Sequence, residues 1–463
     1  MNKILLFLVG IVFLVLPIYS NYSDAAVKIY PAPSGAKLSS DYSVRVDGQQ
    51  ISVYRGIGRI GYGGDYSFAY FDFSGTVSVE ITTNKNLSKL AILPKSKNIV
   101  ATISGRKISF TLSNPSLISI EPGGRNGPLL LFANPPEVNP PQQGASGVIY
   151  FGPGIHNAGQ INVNNGQTLY IGGGAIVNGW INSSGSNITI RGRGIIDSIN
   201  WGYDTEKPIL HVVSGYSVAI EGIILKDSRT WSLKLQKCNG VNISNIKIIA
   251  TQTDMRDGIS FNNTKNAVVQ DSFIRADDDN ITTYGLPWNS NMPVENITVT
   301  RTVLWSDRAL LFRLGLICDA AYVRNLTFTD IDIIHTDVRG QEWIIAVVPC
   351  HGISMENFRW EDIRINNESN RQLMRLKPEI GSWHPYSFAP EGNIKRLYFK
   401  NVSFTNDGTI LIHGPSAEQN IDNVTFENVT KAAVSVLRNS PNVSISGYTS
   451  NLNFIAETHG LSK

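Results

Sequence analysis

Residues 254–285 read DMRDGISFNNTKNAVVQDSFIRADDDNITTYG. Short apolar segments alternate with polar turns here: Ile259 and Phe261, then Val268 and Val269, then Phe273 and Ile274, then Ile281. Segments this short, rich in β-branched and aromatic residues, read as strands. One of them opens as Asn266-Ala-Val-Val, and Asn or a small polar residue before an alternating apolar run recurs from Gly147 onward. It returns at Asn187-Ile-Thr-Ile, Ser217-Val-Ala-Ile, Asn296-Ile-Thr-Val, Asn325-Leu-Thr-Phe, Asn357-Phe-Arg-Trp, Asn423-Val-Thr-Phe and Asn442-Val-Ser-Ile, with weaker copies at Val241 and Leu397. The equivalent residues Ile188, Val218, Val241, Ala267, Ile297, Leu326, Phe358, Leu397, Val424 and Val443 lie 19 to 39 residues apart. That spacing with β-rich units means stacked coils. Leucine-rich and propeller signatures are absent. The predicted fold is therefore all-β, a right-handed parallel β-helix with Asn residues bonding from coil to coil and Val, Ile and Phe inside.

Upstream the pattern changes. Tyr42 to Val46 and Ile51 to Val53 flank Asp47-Gly48, and Val100 to Ile103 and Ile108 to Leu112 flank Gly105, so both pairs read as hairpins. We expect a small antiparallel β-sandwich domain over residues 26–133. Its aromatic residues Tyr54, Tyr62, Tyr66, Phe68, Tyr70 and Phe71 read as core. Proline in NPPEVNPP then enforces an extended linker over residues 134–146, and the β-helix catalytic domain takes residues 147–463. At the start, Lys3, the apolar run from Ile4 to Ile18 and Ser23-Asp24-Ala25 make residues 1–25 a secretory signal, which places the protein outside the cell, in the periplasm or at the cell surface.

Composition limits the partners. A formal net charge of +3 without a basic cluster argues against nucleic acid, and no second apolar run is long enough to span a membrane. The three cysteines, Cys238, Cys318 and Cys350, are odd in number and read as small core residues. A monomer without cofactor or metal is expected.

The acids of the opening stretch carry the chemistry. Asp257 precedes one strand, and Asp277, Asp278 and Asp279 precede another. Like charges this close are solvated, wrapped round a cation, or placed where one is to be protonated. Glycoside hydrolysis calls for the last arrangement, with one carboxyl group protonated for the leaving oxygen and another ionised to act on water or sugar. Aligning Ile259 with Ile281 sets Asp257 level with Asp279 on neighbouring coils, about 4.8 Å apart, where they would share a water.

The pattern Asp257-Gly258-Ile259 and then Asp278-Asp279, with Asp278 21 residues after Asp257, resembles the Asp-Gly and Asp-Asp motifs of glycoside hydrolase family 28, the polygalacturonases. Family 49, the dextranases and isopullulanases, belongs to the same clan. The resemblance continues through GPLLLFANPPE, FGPGIHNAGQINVNNGQTLYIGGGAIVNG and LWSDRALLFRLG. It implies Asp278 as general acid, Asp257 and Asp279 as the base acting on water, and single-step inversion, for which carboxyl groups stand about 6.5 to 9.5 Å apart. Two family motifs are missing: Asp307-Arg308-Ala309 stands where Gly-His-Gly would fall, and no Arg-Ile-Lys occurs. The substrate expected is a polysaccharide, pectin-type by preference and α-glucan as the alternative.

Candidate substrate-binding residues are Arg308, Arg313, His335, Arg339, Tyr284 and Trp305, with Trp231, Trp288 and Trp343 nearby. An insertion around Trp383, His384 and Tyr386 breaks the period and would wall the cleft. Two rival readings exist. The acids could hold calcium in a polysaccharide lyase, or the fold could serve a non-catalytic surface binding protein.

Overall fold

The structure is a computed structural model that describes residues 26–201, 207–252, 255–285, 292–318, 320–337, 339–350, 352–367, 372–379 and 392–456. Residues 1–25, read from the sequence as a secretory signal, lie outside these residues, as do Trp288 and the insertion with Trp383, His384 and Tyr386.

From Val148–Phe151 to Thr449–Ile455 the strands stack coil upon coil as a parallel β-helix. Among the described residues, only the short ribbon of Thr430–Lys431 with Val434–Ser435 pairs antiparallel within it. The repeat gives the register directly: Ile188 faces Val218, Val218 faces Val241, and the series runs on through Ala267, Ile297, Leu326, Phe358 and Leu397 to Val424. The last step differs. Val424 faces Leu452, while Val443 faces Ile410 on another side of the coil. Asn451-Leu-Asn-Phe carries the same polar–apolar pattern as Asn442-Val-Ser-Ile, and alternation alone does not say which of two adjacent strands continues a column.

Asparagines hold the corners. Asn266, Asn296, Asn325 and Asn357 each adopt a left-handed backbone, with φ between 55° and 60°, which Asn tolerates better than most side chains. Each donates its side-chain amide to the Asn one coil earlier, at 2.8, 2.9, 3.0 and 3.1 Å, starting from Asn239. Inside, apolar side chains stack in register, and the later coils carry a ring ladder in which Trp360, Phe399, Phe426 and Phe454 lie 4.6 to 5.0 Å apart.

Before Asn134 the chain forms two sheets around their own apolar core. The hairpin at Asp47-Gly48 has both turn residues at positive φ, as its two-residue turn requires. One sheet is not purely antiparallel, because Leu129–Asn134 runs parallel to Tyr66–Ser74. Tyr54, Tyr66, Phe68 and Tyr70 bury themselves against Ile195, Ile224, Ile249 and Phe273 of the β-helix. This sheet therefore covers one outer face of the coils, while Tyr62 stays half-buried in a loop at its edge.

Candidate active site

Strand pairing of Ile259 with Ile281 puts Asp257 and Asp279 at the same level of successive coils. Gly258 is needed for that approach: a Cβ there would stand 2.4 Å from the carbonyl oxygen of Asn280 and 2.6 Å from Ile274. One carboxylate oxygen each of Asp257, Asp278 and Asp279 lies within 4.8 Å of the other two. This is tighter than the usual gap of an inverting pair. The cause is covalent and topological, since Asp278 and Asp279 are chain neighbours and Asp257 is one coil away. Spacing alone thus gives no support to inversion.

Each acid has its own partners. Asp257 Oδ2 accepts the Tyr284 hydroxyl at 3.3 Å and the Ser260 hydroxyl at 3.5 Å. Asp279 accepts the backbone N–H of Leu310 and the Arg313 guanidinium, both at 3.0 Å, and Arg313 also donates to the Tyr284 oxygen at 2.6 Å. Asp278 Oδ2 accepts the backbone N–H of Met255 at 2.8 Å and Arg308 at 3.0 Å. Asp257 and Asp279 are each only 2% exposed, whereas the Asp278 side chain is 19% exposed and forms the open edge of the cluster.

Burial governs the charges. It pushes the Asp279 carboxyl up to about 7 despite the Arg313 cation, and it holds Asp257 well above the usual carboxylate range, with the charges of Asp279 and Asp278 adding to the effect. Asp277 is pushed up to about 6, by burial first and then by Asp307. The cluster therefore keeps a proton at neutral pH, and that proton belongs to the interacting set rather than to one residue.

Three carboxylates this close also make a donor set for a divalent cation. Arg313 on Asp279 and Arg308 on Asp278 already fill the charge-compensating positions, however, and a cation would meet both guanidinium groups.

Residues 156–306 match the model of glycosyl hydrolases family 28, and this segment contains all three acids. The chain is a glycoside hydrolase. Among solved structures, Dex49A from Penicillium minioluteum is similar at a TM-score of 0.70 and 16% identity, over 92% of this chain and 96% of that one. The family 28 exopolygalacturonase of Yersinia enterocolitica matches at a TM-score of 0.48 and 11% identity, over 94% and 97%. The polygalacturonase of Erwinia carotovora ssp. carotovora gives 0.45 and 13%, over 67% and 87%. The Dex49A likeness shows a shared fold. No curated protein sequence matches the hydrolase.

The structure gathers some of the sequence candidates and disperses others. Tyr284, Arg308 and Arg313 touch the acids, and Arg339 stands one step back, donating to the Arg308 carbonyl at 2.9 Å and to Asp337 at 3.2 Å. Trp305 and His335 do not reach the site. Both lie on the outer face covered by the N-terminal sheet: Trp305 is fully buried and donates to Asp307 at 2.8 Å, while His335 pairs with Glu121 at 2.9 Å. Trp305 is therefore closed to a sugar ring, a correction to the sequence expectation.

The N-terminal loop carries no local sequence mark of its place beside the site. Arg59 reaches Asp277 at 3.4 Å, and Tyr62 lies between Arg59 and Arg339, 4.7 and 5.8 Å from their guanidinium carbons. Trp231 and Trp343 occupy the same column as Asp257 and Asp279, one coil before the first and two after the second, and both are partly exposed.

Proposed function

We propose that the hydrolase cuts an α-glucan outside the cytoplasm by single-step acid/base hydrolysis. Asp278 protonates the leaving oxygen, while Asp257 and Asp279 hold and activate water. The observation that carries this reading is the cluster's geometry: two carboxylate oxygens within 4.8 Å can both bond one water at about 2.8 Å each, beside a third carboxyl group open to substrate. The proton kept by the cluster reaches the leaving oxygen through Asp278, the carboxyl group open to substrate. The apolar segment at residues 4–18 supports export.

Charge favours a neutral chain over pectin. Arg308, Arg313, Arg59 and Arg339 are each matched to Asp278, Asp279, Asp277 or Asp337, so a galacturonate carboxylate would compete with them for the same cations. The missing Arg-Ile-Lys motif points the same way. The test is reducing-end release from dextran, pullulan and polygalacturonate, with ultraviolet absorbance followed and chelator added. Cleavage of dextran or pullulan without ultraviolet-absorbing ends and without chelator sensitivity is expected. Cleavage of polygalacturonate alone overturns the glucan reading, and ultraviolet-absorbing ends overturn hydrolysis at these acids.

A further inference from the structure

A second feature on the same outer sheet face has no part in the chemistry. Trp180 points outward from the strand Ala175–Gly192, level with Gln160 on the preceding coil, and Trp201 packs edge-on against it at 4.9 Å. Trp180 and Gln160, together with Asn182, Lys207 and His211, border a cavity of about 520 Å³, and no carboxylate is among the described residues that line it. The Lys207 ammonium sits 5.6 Å from the Trp180 ring. His211 is braced by Gln236 at 3.2 Å, and burial together with the Lys234 charge pushes its imidazole down to about 4, so it is neutral in most working conditions.

Strand register ties the cavity to the acids. Asn182 faces His211, which faces Lys234, then Ser260, Thr282 and Arg313, the residue that holds Asp279. This is one outward row running along the helix axis. From Trp180 to the level of Gly258 is three coils, about 14 Å at the sheet spacing. Between them Trp231 lies under the Lys234 ammonium at 4.1 Å and contacts Tyr284. Partly exposed rings thus recur on this face of the coils, in columns one residue apart and beside polar side chains, the combination that suits a sugar ring, with one apolar face and a rim of hydroxyls.

We propose that the Trp180 cavity is a distal subsite binding a sugar ring of the same chain that is cut at Asp257, Asp278 and Asp279, so that the hydrolase prefers long chains. This rests on the reading of those acids as the point of cleavage. The test uses isomalto-oligosaccharides of three and seven units and a seven-unit galacturonide. Each is titrated by calorimetry into the Asp278→Asn protein, with and without Trp180→Ala, and the long-to-short ratio of kcat/KM is measured in the otherwise wild-type chain. Loss of the ring should lower seven-unit affinity about tenfold and flatten the kcat/KM ratio, with Trp180→Phe restoring most of both.

Equal seven-unit affinity with and without Trp180, or no binding of either long chain, overturns the proposal. Trp180-dependent binding of the galacturonide instead of the glucan keeps the subsite and removes the glucan reading. An active Asp278→Asn protein removes the acid assignment, while the Trp180 dependence still reports on the subsite.

Discussion

Replacing Asp278 by Asn removes one proton-donating group and little else. Asn has nearly the same volume, and its carbonyl oxygen can still accept the Met255 N–H that Asp278 accepts at 2.8 Å. The lost ion pair with Arg308 lies at a position 19% exposed on both sides, and Arg308 keeps Asp277 at 3.6 Å. The fold should therefore survive, as circular dichroism and an unchanged elution volume would show. Catalysis should not. A positioned general acid contributes about two to four decades of rate, equivalent to about 2.7 to 5.4 kcal/mol of barrier at 1.36 kcal/mol per decade. The assay is kcat/KM for reducing-end release from the best glucan, set beside the same ratio for a nitrophenyl glycoside. A nitrophenolate leaves without a proton, so the loss should be much smaller on that substrate. Turnover of the glucan within a few-fold of wild type, or an equal loss on both substrates, would refute the acid role.

Four further outcomes follow from the proposed roles and from the packing around them. Asp257→Asn and Asp279→Asn should each remove most activity, with the double variant no worse than the poorer single one, because two residues sharing one water act as a unit; fully additive losses in kcat/KM would show separate roles. Proton NMR of the first product from an α-linked substrate should show the β anomer before mutarotation, and the α anomer first would make one of the acids a nucleophile. Asp279 has a folded-state value of about 7 against an ordinary 3.8, so its contribution to stability is complete below about 4 and drains as pH rises through 7; the melting-temperature advantage of wild type over Asp279→Asn should shrink from pH 4 to pH 8, and a constant difference would contradict this. Asp307→Asn should lower stability by about 3 to 5 kcal/mol in denaturant unfolding, since Arg125 and Arg275 both meet that carboxylate at 3.1 Å in buried positions; a loss below about 1 kcal/mol would count against it.

The arrangement also brings a loop of the N-terminal unit against the candidate site. Arg59 pairs with Asp277 and lies against Tyr62, and Arg339 connects Tyr62 to Arg308. A loop from one unit thus helps set the charge balance of a site built on the other.

Much of this protein is written in its local pattern. Ladder pairing in a parallel coil repeats at nearly constant spacing, so aligning Ile259 with Ile281 was enough to stack Asp257 on Asp279, and the recurring Asn was enough to find the corners. Side-chain alternation likewise separates the inside from the outside of each coil. Alternation does not say which outer face another part of the chain will cover. Nothing in the local pattern tells Trp305 from Trp231, yet one is sealed beneath the N-terminal sheet and the other stands beside the acids. Arg59 meets Asp277 across 218 residues and His335 meets Glu121 across 214. Such contacts have no period. They arise only when two folded surfaces pack together, because the free energy that selects them is the burial of whole faces, shared among residues that carry no local mark of their partners.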